Sequence, residues 1–224
     1  MEIKLQQDIL AANDKIAADL RKIFEDKGIF VINLMASPGA GKTSFILRII
    51  EILKDELNIA VIEGDIASKV DAEKVREHGV AAIQINTGGA CHLDANMIRG
   101  ALDMLDLDLL DIIIIENVGN LVCPVEFDLG ENVRVVISSI PEGDDKPLKY
   151  PRIFVESEVL ILNKIDLLDC SDFNLGEFKS IISGLNPSVN FFEVSCKLVE
   201  GVDVWVSWLQ KQIYEAQKTK SGGV

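Results

Sequence analysis

The stretch Ala36-Ser-Pro-Gly-Ala-Gly-Lys-Thr43 decides the fold of this chain. It follows the apolar run of residues 29–34 and precedes a helical pattern, so its glycines lie where a strand passes into the N-terminus of a helix. Backbone N–H groups that converge at such a helix end bind phosphate oxygens, and the pattern therefore predicts a phosphate-binding loop. In such a loop Lys42 reaches the β- and γ-phosphates, and the Thr43 hydroxyl holds Mg²⁺. Ala36 occupies the position usually taken by the first glycine, so the turn must accept a Cβ atom there.

Short runs of β-branched and other apolar residues alternate with helical patterns on either side of this loop. The runs cover residues 29–34, 59–62, 81–85, 112–115, 133–137, 159–162 and 191–194, and the helical patterns cover 43–53, 72–78, 93–105, 175–183 and 202–216. Strands that are buried on both faces and separated by helices form a mostly parallel sheet flanked by helices. The sequence therefore predicts an α/β fold. Residues 141–151 contain three prolines and are predicted to form a surface loop.

The two ends of the chain differ from this alternating pattern. Apolar residues spaced by threes and fours predict an amphipathic helix over residues 3–26. We therefore divide the chain into an N-terminal helix (1–27), a nucleotide- and metal-binding domain (28–217) and a flexible tail (218–224).

Composition excludes several classes of function. The chain has 224 residues, of which 22 are basic and 36 acidic, so its net charge is −14. A nucleic-acid-binding protein needs a basic surface, so we expect no nucleic-acid partner. Four scattered cysteines are typical of a reducing compartment. The sequence has neither a signal-peptide pattern nor an apolar run of membrane-spanning length, and we expect a cytoplasmic protein with no membrane partner.

A second motif indicates which nucleotide binds. Asn163-Lys-Ile-Asp166 follows the run 159–162, at the edge of the sheet where ligands bind in such folds. A fixed Asp166 carboxylate accepts hydrogen bonds from both guanine N1–H and the 2-amino group, a pair of donors that adenine lacks. Ser195-Cys-Lys197, after the next run, is similar to segments that close around guanine. The sequence therefore favours GTP over ATP.

Carboxylates at other strand ends are candidates for the magnesium site. Asp65 and Glu116 each follow a buried run, and a carboxylate at this edge can hold Mg²⁺ through water. Gly119, three residues after Glu116, is placed to sense a γ-phosphate. Asp71 is a candidate for orienting the attacking water, although a solvent-facing residue at a helix start is an equally good interpretation. Because no arginine finger or water-orienting glutamine is apparent, we expect slow intrinsic hydrolysis.

Cys91, His92 and Cys123 form a candidate metal site. Thiolate and imidazole ligands suit Zn²⁺ and Ni²⁺ better than hard cations. From spacing alone, burial of the cysteines as small apolar residues remains an alternative.

These motifs together resemble one family. The phosphate loop, Glu63-Gly-Asp65, Gly88-Gly-Ala-Cys-His92, Glu116-Asn-Val-Gly-Asn-Leu-Val-Cys-Pro124 and Asn163-Lys-Ile-Asp166 resemble the hydrogenase nickel-incorporation GTPases called HypB. The resemblance implies a P-loop NTPase fold of the dimerising SIMIBI class, GTP hydrolysis, and nickel or zinc ligation by Cys91, His92 and Cys123 at a homodimer interface. It also implies nickel delivery to the large subunit of nickel-iron hydrogenase, with an accessory protein of the HypA type.

The resemblance and the motifs together define the expected site. We expect Lys42 and Asp71 to act in catalysis and Thr43, Asp65 and Glu116 to hold Mg²⁺. The residues expected to contact the nucleotide are Gly39, Ala40, Gly41, Lys42, Thr43, Ser44, Asp65, Glu116, Gly119, Asn163, Lys164, Asp166, Ser195, Cys196 and Lys197.

Three other functions stay open at this point. A urease-type nickel accessory GTPase would share the fold and nucleotide site, but its Cys-Pro-His metal motif is absent from this sequence. A small-molecule kinase would share the phosphate loop, although the Asn-Lys-Ile-Asp motif disfavours it. A structural zinc protein would not bind GTP. Because Cys123 closely follows Gly119, we further expect metal affinity to depend on the bound nucleotide.

Overall fold

The computed structural model describes residues 2–65 and 70–221, with side chains described over 8–64 and 72–218. The strands are β1 (Phe30–Ala36), β2 (Ile59–Asp65), β3 (Ala81–Asn86), β4 (Ile112–Glu116), β5 (Val133–Ser139), β6 (Val159–Asn163) and β7 (Asn190–Glu193). The α-helices are α1 (Glu2–Lys27), α2 (Lys42–Leu53), α3 (Val70–Glu77), α4 (Ala95–Leu102), α5 (Lys146–Lys149), α6 (Pro151–Val155), α7 (Leu175–Leu185) and α8 (Val202–Ser221).

The strands form one parallel sheet in the order β3-β2-β4-β1-β5-β6-β7. Strand β1 is central, and every residue of β1, β4 and β6 is buried, as expected for strands covered by helices on both faces. The predicted α/β fold is therefore confirmed, including all seven strands. Because the strands are parallel, their carboxyl ends and the loops that carry the motifs lie at the same edge.

The prediction of a surface loop over residues 141–151 is wrong. The segment contains helix α5 and the start of α6, and Pro147 is buried. Pro147 and Pro151 lie in the first turns of these helices, where a backbone N–H has no intrahelical partner and the fixed φ of proline favours helix entry. The prolines start helices here rather than prevent them.

Helix α1 is amphipathic as predicted and packs on the sheet. Its buried face includes Ala17, Leu20 and Phe24, which belong to the apolar cluster formed with β2, β4 and α4. Arg21 pairs with both carboxylate oxygens of Asp128 at 2.8 Å. At the other end of the chain, α8 continues to Ser221, past the expected start of the tail, and residues 222–224 lie outside the described residues. Among the described helices, none combines the length and the apolarity that a membrane span requires.

Candidate nucleotide and metal site

The phosphate loop connects the central strand to helix α2. Gly39 and Gly41 have φ angles of +80° and +102°, which glycine adopts without strain. Ala36 is a buried residue at the end of β1 and pairs with Ile137 of β5 as an ordinary strand residue. The Cβ atom of Ala36 is therefore accommodated, because the turn that needs glycine begins after it.

The Asn163-Lys-Ile-Asp motif holds the phosphate loop from the side. Asn163 Nδ2 donates to the carbonyl oxygen of Ala40 at 2.9 Å, and Lys164 Nζ donates to that of Gly39 at 2.7 Å. A Cβ atom on Gly41 would overlap Asn163 Nδ2, so the close contact requires glycine. Two motifs that are distant in sequence are thus joined by two hydrogen bonds and one close contact.

Asp166 lines a cavity beside Asn163 and Lys164, and Ser195 orients its carboxylate. Its Oδ1 accepts a hydrogen bond from Ser195 Oγ at 2.6 Å, and Ser195 Oγ in turn accepts from the Leu198 N–H at 3.1 Å. Ser195 is fully buried, so its hydroxyl contacts Asp166 and does not line the cavity as predicted. Burial raises the pKa of the Cys196 thiol to about 11, so this side chain stays neutral beside the cleft. The cavity that Asp166 lines has a volume of about 430 Å³. Its other lining residues include Gly41, Ser44, Asn163, Lys164, Cys196 and Lys197.

A second cavity of about 530 Å³ adjoins the phosphate loop and is lined by two of the candidate magnesium ligands, Thr43 and Glu116. Thr43 Oγ1 donates to Glu116 Oε1 at 3.0 Å, which places two hard oxygen ligands together at the start of α2. These residues fit Mg²⁺ bound with a nucleotide phosphate. Lys42 also lines this cavity. The side chains of Asp65 and Asp71 lie outside the described residues, so their predicted roles stay predictions.

Gly119 packs directly against the phosphate loop. A Cβ atom at this position would lie 2.9 Å from Pro38 Cγ and 3.1 Å from the Pro38 backbone nitrogen. The absence of a side chain at Gly119 therefore allows the segment after β4 to touch the loop. The segment after β4 and the phosphate loop are therefore in direct van der Waals contact.

The three candidate metal ligands converge about one point. One ligand atom from each of Cys91, His92 and Cys123 lies within 4.8 Å of the others, and all three residues are half-buried. The His92 ring stacks on Phe127, with ring centroids 3.8 Å apart. Cys91 and Cys123 are free thiols, not a disulfide. The three side chains thus lie together in the structure, and their role as metal ligands stays a prediction.

The pKa values of two of these side chains are shifted by their surroundings. Burial lowers the pKa of the His92 imidazole, against the opposing charges of Asp94 and Glu126, so the ring is a neutral ligand at physiological pH. A hydrogen bond shared with Cys91 raises the pKa of the Cys123 thiol, and desolvation adds to this. Metal binding must therefore displace a proton from Cys123.

Sequence reasoning missed several residues of the site. Glu63 and Lys74 line the phosphate cavity, and the fully buried Asn117 also contributes to its wall. Glu142 accepts hydrogen bonds from Ser37 of the phosphate loop and, at 2.8 Å, from the Ser139 hydroxyl. Glu63 and Asn117 lie inside motifs quoted above, but no spacing rule singles them out.

The fold and the phosphate loop define a P-loop nucleotide-binding fold of the SIMIBI class. The signal recognition particle receptor FtsY of Elizabethkingia anophelis shares this fold, with a TM-score of 0.57 and 15% identity over 79% of this chain and 65% of that one. At this identity the likeness concerns the fold alone.

The particular family follows from closer comparisons. Residues 30–193 match the CobW/HypB/UreG nucleotide-binding domain. The hydrogenase maturation factor HypB of Rhizobium leguminosarum bv. viciae is 48% identical over 93% of this chain and 70% of its own length. The crystal structure of HypB from Helicobacter pylori in complex with nickel has a TM-score of 0.87 and 39% identity, covering 91% of this chain and 96% of that one. This chain belongs to the CobW/HypB/UreG family of P-loop GTPases and, within it, to the HypB maturation factors.

Proposed function

We propose that this protein binds and hydrolyses GTP and uses the cycle to bind nickel and deliver it during maturation of nickel-iron hydrogenase. The observation that carries the proposal is the position of Cys91, His92 and Cys123, which lie on loops that follow strands of the same sheet edge as the phosphate cavity. The names of the relatives, hydrogenase maturation factors, support the same function. The nickel in the Helicobacter pylori structure supports the choice of metal.

The nucleotide part of the proposal is supported by contacts around Asp166. A half-buried carboxylate that is fixed by Ser195 selects a base with two adjacent donors, which guanine provides. Thr43 and Glu116 would hold Mg²⁺, which supplies charge neutralisation at the β- and γ-phosphates when bound. Lys42, at the start of α2, would contact the same phosphates. We propose the remaining sequence-predicted nucleotide contacts on the same basis, except Ser195, which lies buried behind Asp166 and positions its carboxylate.

The metal part of the proposal includes a homodimer. Three ligands leave a four-coordinate metal incomplete, so water or a second subunit must complete the shell. Val122, next to Cys123, is 55% exposed, which is a large apolar exposure beside a metal ligand. We therefore propose that two copies meet at this surface when metal or GTP is bound, and that a HypA-type protein and the hydrogenase large subunit receive or supply nickel. The reduced thiols of the cluster suit the cytoplasm.

The proposal is tested by anaerobic titration of Ni²⁺ and Zn²⁺ into the full chain with GDP and with a non-hydrolysable GTP analogue. Affinity and molecular mass are measured for the wild type and a Cys91→Ser/Cys123→Ser variant. We expect the wild type to bind metal with an affinity or a mass that depends on the nucleotide, and the variant to lose both. Cys170→Ser is the matched control, because Cys170 is exposed and lies outside the cluster.

Separate outcomes identify which part of the proposal fails. Equal metal affinity in the two nucleotide states would refute the coupling. Wild-type metal binding by the Cys91→Ser/Cys123→Ser variant would refute the assignment of these cysteines as ligands. GTP turnover is followed in parallel as phosphate release, which we expect to be slow. Transfer of phosphate to a small-molecule acceptor instead of water would favour a kinase.

A further inference from the structure

One buried amide side chain lies between the metal cluster and the phosphate cavity. Asn117 is fully buried and follows the last residue of β4. Its Oδ1 accepts hydrogen bonds from two backbone groups, the N–H of Leu93 at 3.1 Å and the N–H of Val118 at 2.9 Å. Its Nδ2 donates to Asn33 Oδ1 at 3.1 Å. The Asn117 carboxamide therefore ties together three segments of chain.

The first of these segments carries two metal ligands. Leu93 directly follows His92, so the peptide group that donates to Asn117 is the one that joins His92 to Leu93. Leu93 is itself fully buried and leaves the loop little freedom to move independently. The position of the His92 backbone is thus set in part by Asn117.

The second segment contacts the phosphate loop. Val118 precedes Gly119, whose Cα lies so close to Pro38 that an added Cβ atom would be 2.9 Å from Pro38 Cγ. Asn117, Val118 and Gly119 all line the phosphate cavity. A phosphate that moves this segment moves the Val118 N–H, which shares its acceptor with the Leu93 N–H.

The third segment fixes the carboxamide in place. Asn33 is a fully buried residue of β1, and its own Nδ2 donates to Glu131 Oε1 at 3.2 Å. Asn117 is therefore anchored to the strand that leads into the phosphate loop. No exposed surface is available at Asn117, so water cannot easily replace its oxygen if the Leu93 and Val118 amides separate, and an unpaired buried amide is costly.

We propose that Asn117 is a positioning residue that couples the nucleotide state to metal affinity, by holding the His92–Leu93 peptide and the Val118 peptide to one acceptor. The inference rests on the proposed function, because it presupposes that nucleotide and metal affinities are linked. It assigns that linkage to a side chain that is neither a proposed metal ligand nor a proposed Mg²⁺ ligand. The coupling runs through backbone positions and does not need Asn117 to contact the metal.

The test compares the ratio of Ni²⁺ dissociation constants in the GDP and GTP-analogue states. When two sites are coupled, one ligand typically changes the affinity for the other by about 5- to 150-fold. We expect the ratio of dissociation constants in Asn117→Ala to fall to within about twofold of one. A purely structural role would weaken Ni²⁺ binding equally in both states and leave the ratio unchanged. The ratio therefore separates coupling from simple loss of packing.

Two further variants make the experiment decisive. Asn33→Ala leaves the Asn117 oxygen present but removes its anchor, so we expect a reduced ratio even if Asn117→Ala does not fold. Asn13→Ala is the matched control, because Asn13 Oδ1 accepts from the Ala95 N–H at 2.8 Å, close to the same metal loop, but is remote from the phosphate cavity. This control should keep the wild-type ratio.

The outcomes distinguish this inference from the function on which it rests. The role of Asn117 in coupling is supported if the ratio differs from one in the wild type and in Asn13→Ala but falls close to one in Asn117→Ala or Asn33→Ala. If the folded Asn117→Ala variant, or Asn33→Ala, keeps the wild-type ratio, Asn117 does not couple the two sites. The proposed coupling of nucleotide and metal binding is then unaffected. A ratio of one in the wild type overturns both.

Discussion

Replacing Gly119 with alanine should weaken nucleotide binding through a steric contact that can be measured in the structure. The added Cβ atom would lie 2.9 Å from Pro38 Cγ, 3.1 Å from Pro38 N and 3.2 Å from Pro38 Cα. Two of these atoms are backbone, so the phosphate loop itself must shift by some tenths of an ångström. Gly119 has no positive φ, so alanine can adopt its backbone conformation and the effect is confined to this contact.

The magnitude follows from the cost of overpacking. Inserting one carbon into a packed contact costs about 1–3 kcal/mol. A free phosphate loop relieves the contact by moving, but bound phosphates fix the loop and restore the strain. Since 1.4 kcal/mol is tenfold in affinity, GDP and the GTP analogue should bind roughly 5- to 150-fold more weakly.

Isothermal titration calorimetry with GDP and the GTP analogue measures the effect, and Gly100→Ala provides the matched control. Gly100 lies in α4, and a Cβ atom there would meet nothing within 4 Å. The control should bind nucleotide like the wild type and be slightly more stable, because alanine favours the helix. Wild-type affinity in a folded Gly119→Ala variant would refute the proposed mechanical contact between the segment after β4 and the phosphate loop.

Three further predictions follow from individual side chains. Asp166→Asn removes the charged acceptor for the guanine donors, so in a nucleotide titration GTP affinity should fall by about 10²-fold or more while xanthosine triphosphate affinity rises. The control Asp169→Asn, at an exposed position, should change neither affinity. An unchanged preference for GTP would contradict the role of Asp166. Burial raises the pKa of Glu142, opposed by Ser139, Lys146 and Lys164, so folded Glu142 holds its proton more tightly than the unfolded chain does. Stability contributed by this proton is therefore present below the ordinary glutamate pKa and lost as pH rises through the raised one. In urea denaturation, Glu142→Gln should gain stability relative to the wild type as the pH rises above the ordinary glutamate pKa, and a pH-independent difference would contradict the shift. Asn13→Ala leaves the Ala95 N–H and the Asp128 carbonyl without their partner, so urea denaturation should show a loss of about 1–3 kcal/mol, and a neutral effect would show that water replaces the side chain.

The strands and the nucleotide motifs could be predicted because their signals are local. Apolar runs buried on both faces identify strands irrespective of their neighbours, and the glycines of the phosphate loop act within a few residues of one another. The prolines 147 and 151 misled the prediction, because proline both ends and starts helices and only the surrounding packing decides which. The bond between Ser37 and Glu142 joins residues 105 positions apart, and no pattern in one sequence encodes such a pairing.

The candidate metal site depends on Gly64, a residue that has no side chain and offers no ligand. Its ligands lie on the loops after β3 and β4, and these strands are not neighbours, because β2 lies between them in the sheet. The loop that carries Cys91 and His92 must therefore cross the end of β2 to reach Cys123. Gly64 makes this crossing possible, since a Cβ atom there would lie only 2.6 Å from Leu93 Cγ. Leu93 instead packs over the bare glycine and donates its N–H to Asn117 at 3.1 Å. Gly64 near the end of β2 and the Asn117 amide after β4 thus allow Cys91 and His92 to meet the distant Cys123. They do so beside the phosphate cavity, which both Gly64 and Asn117 line.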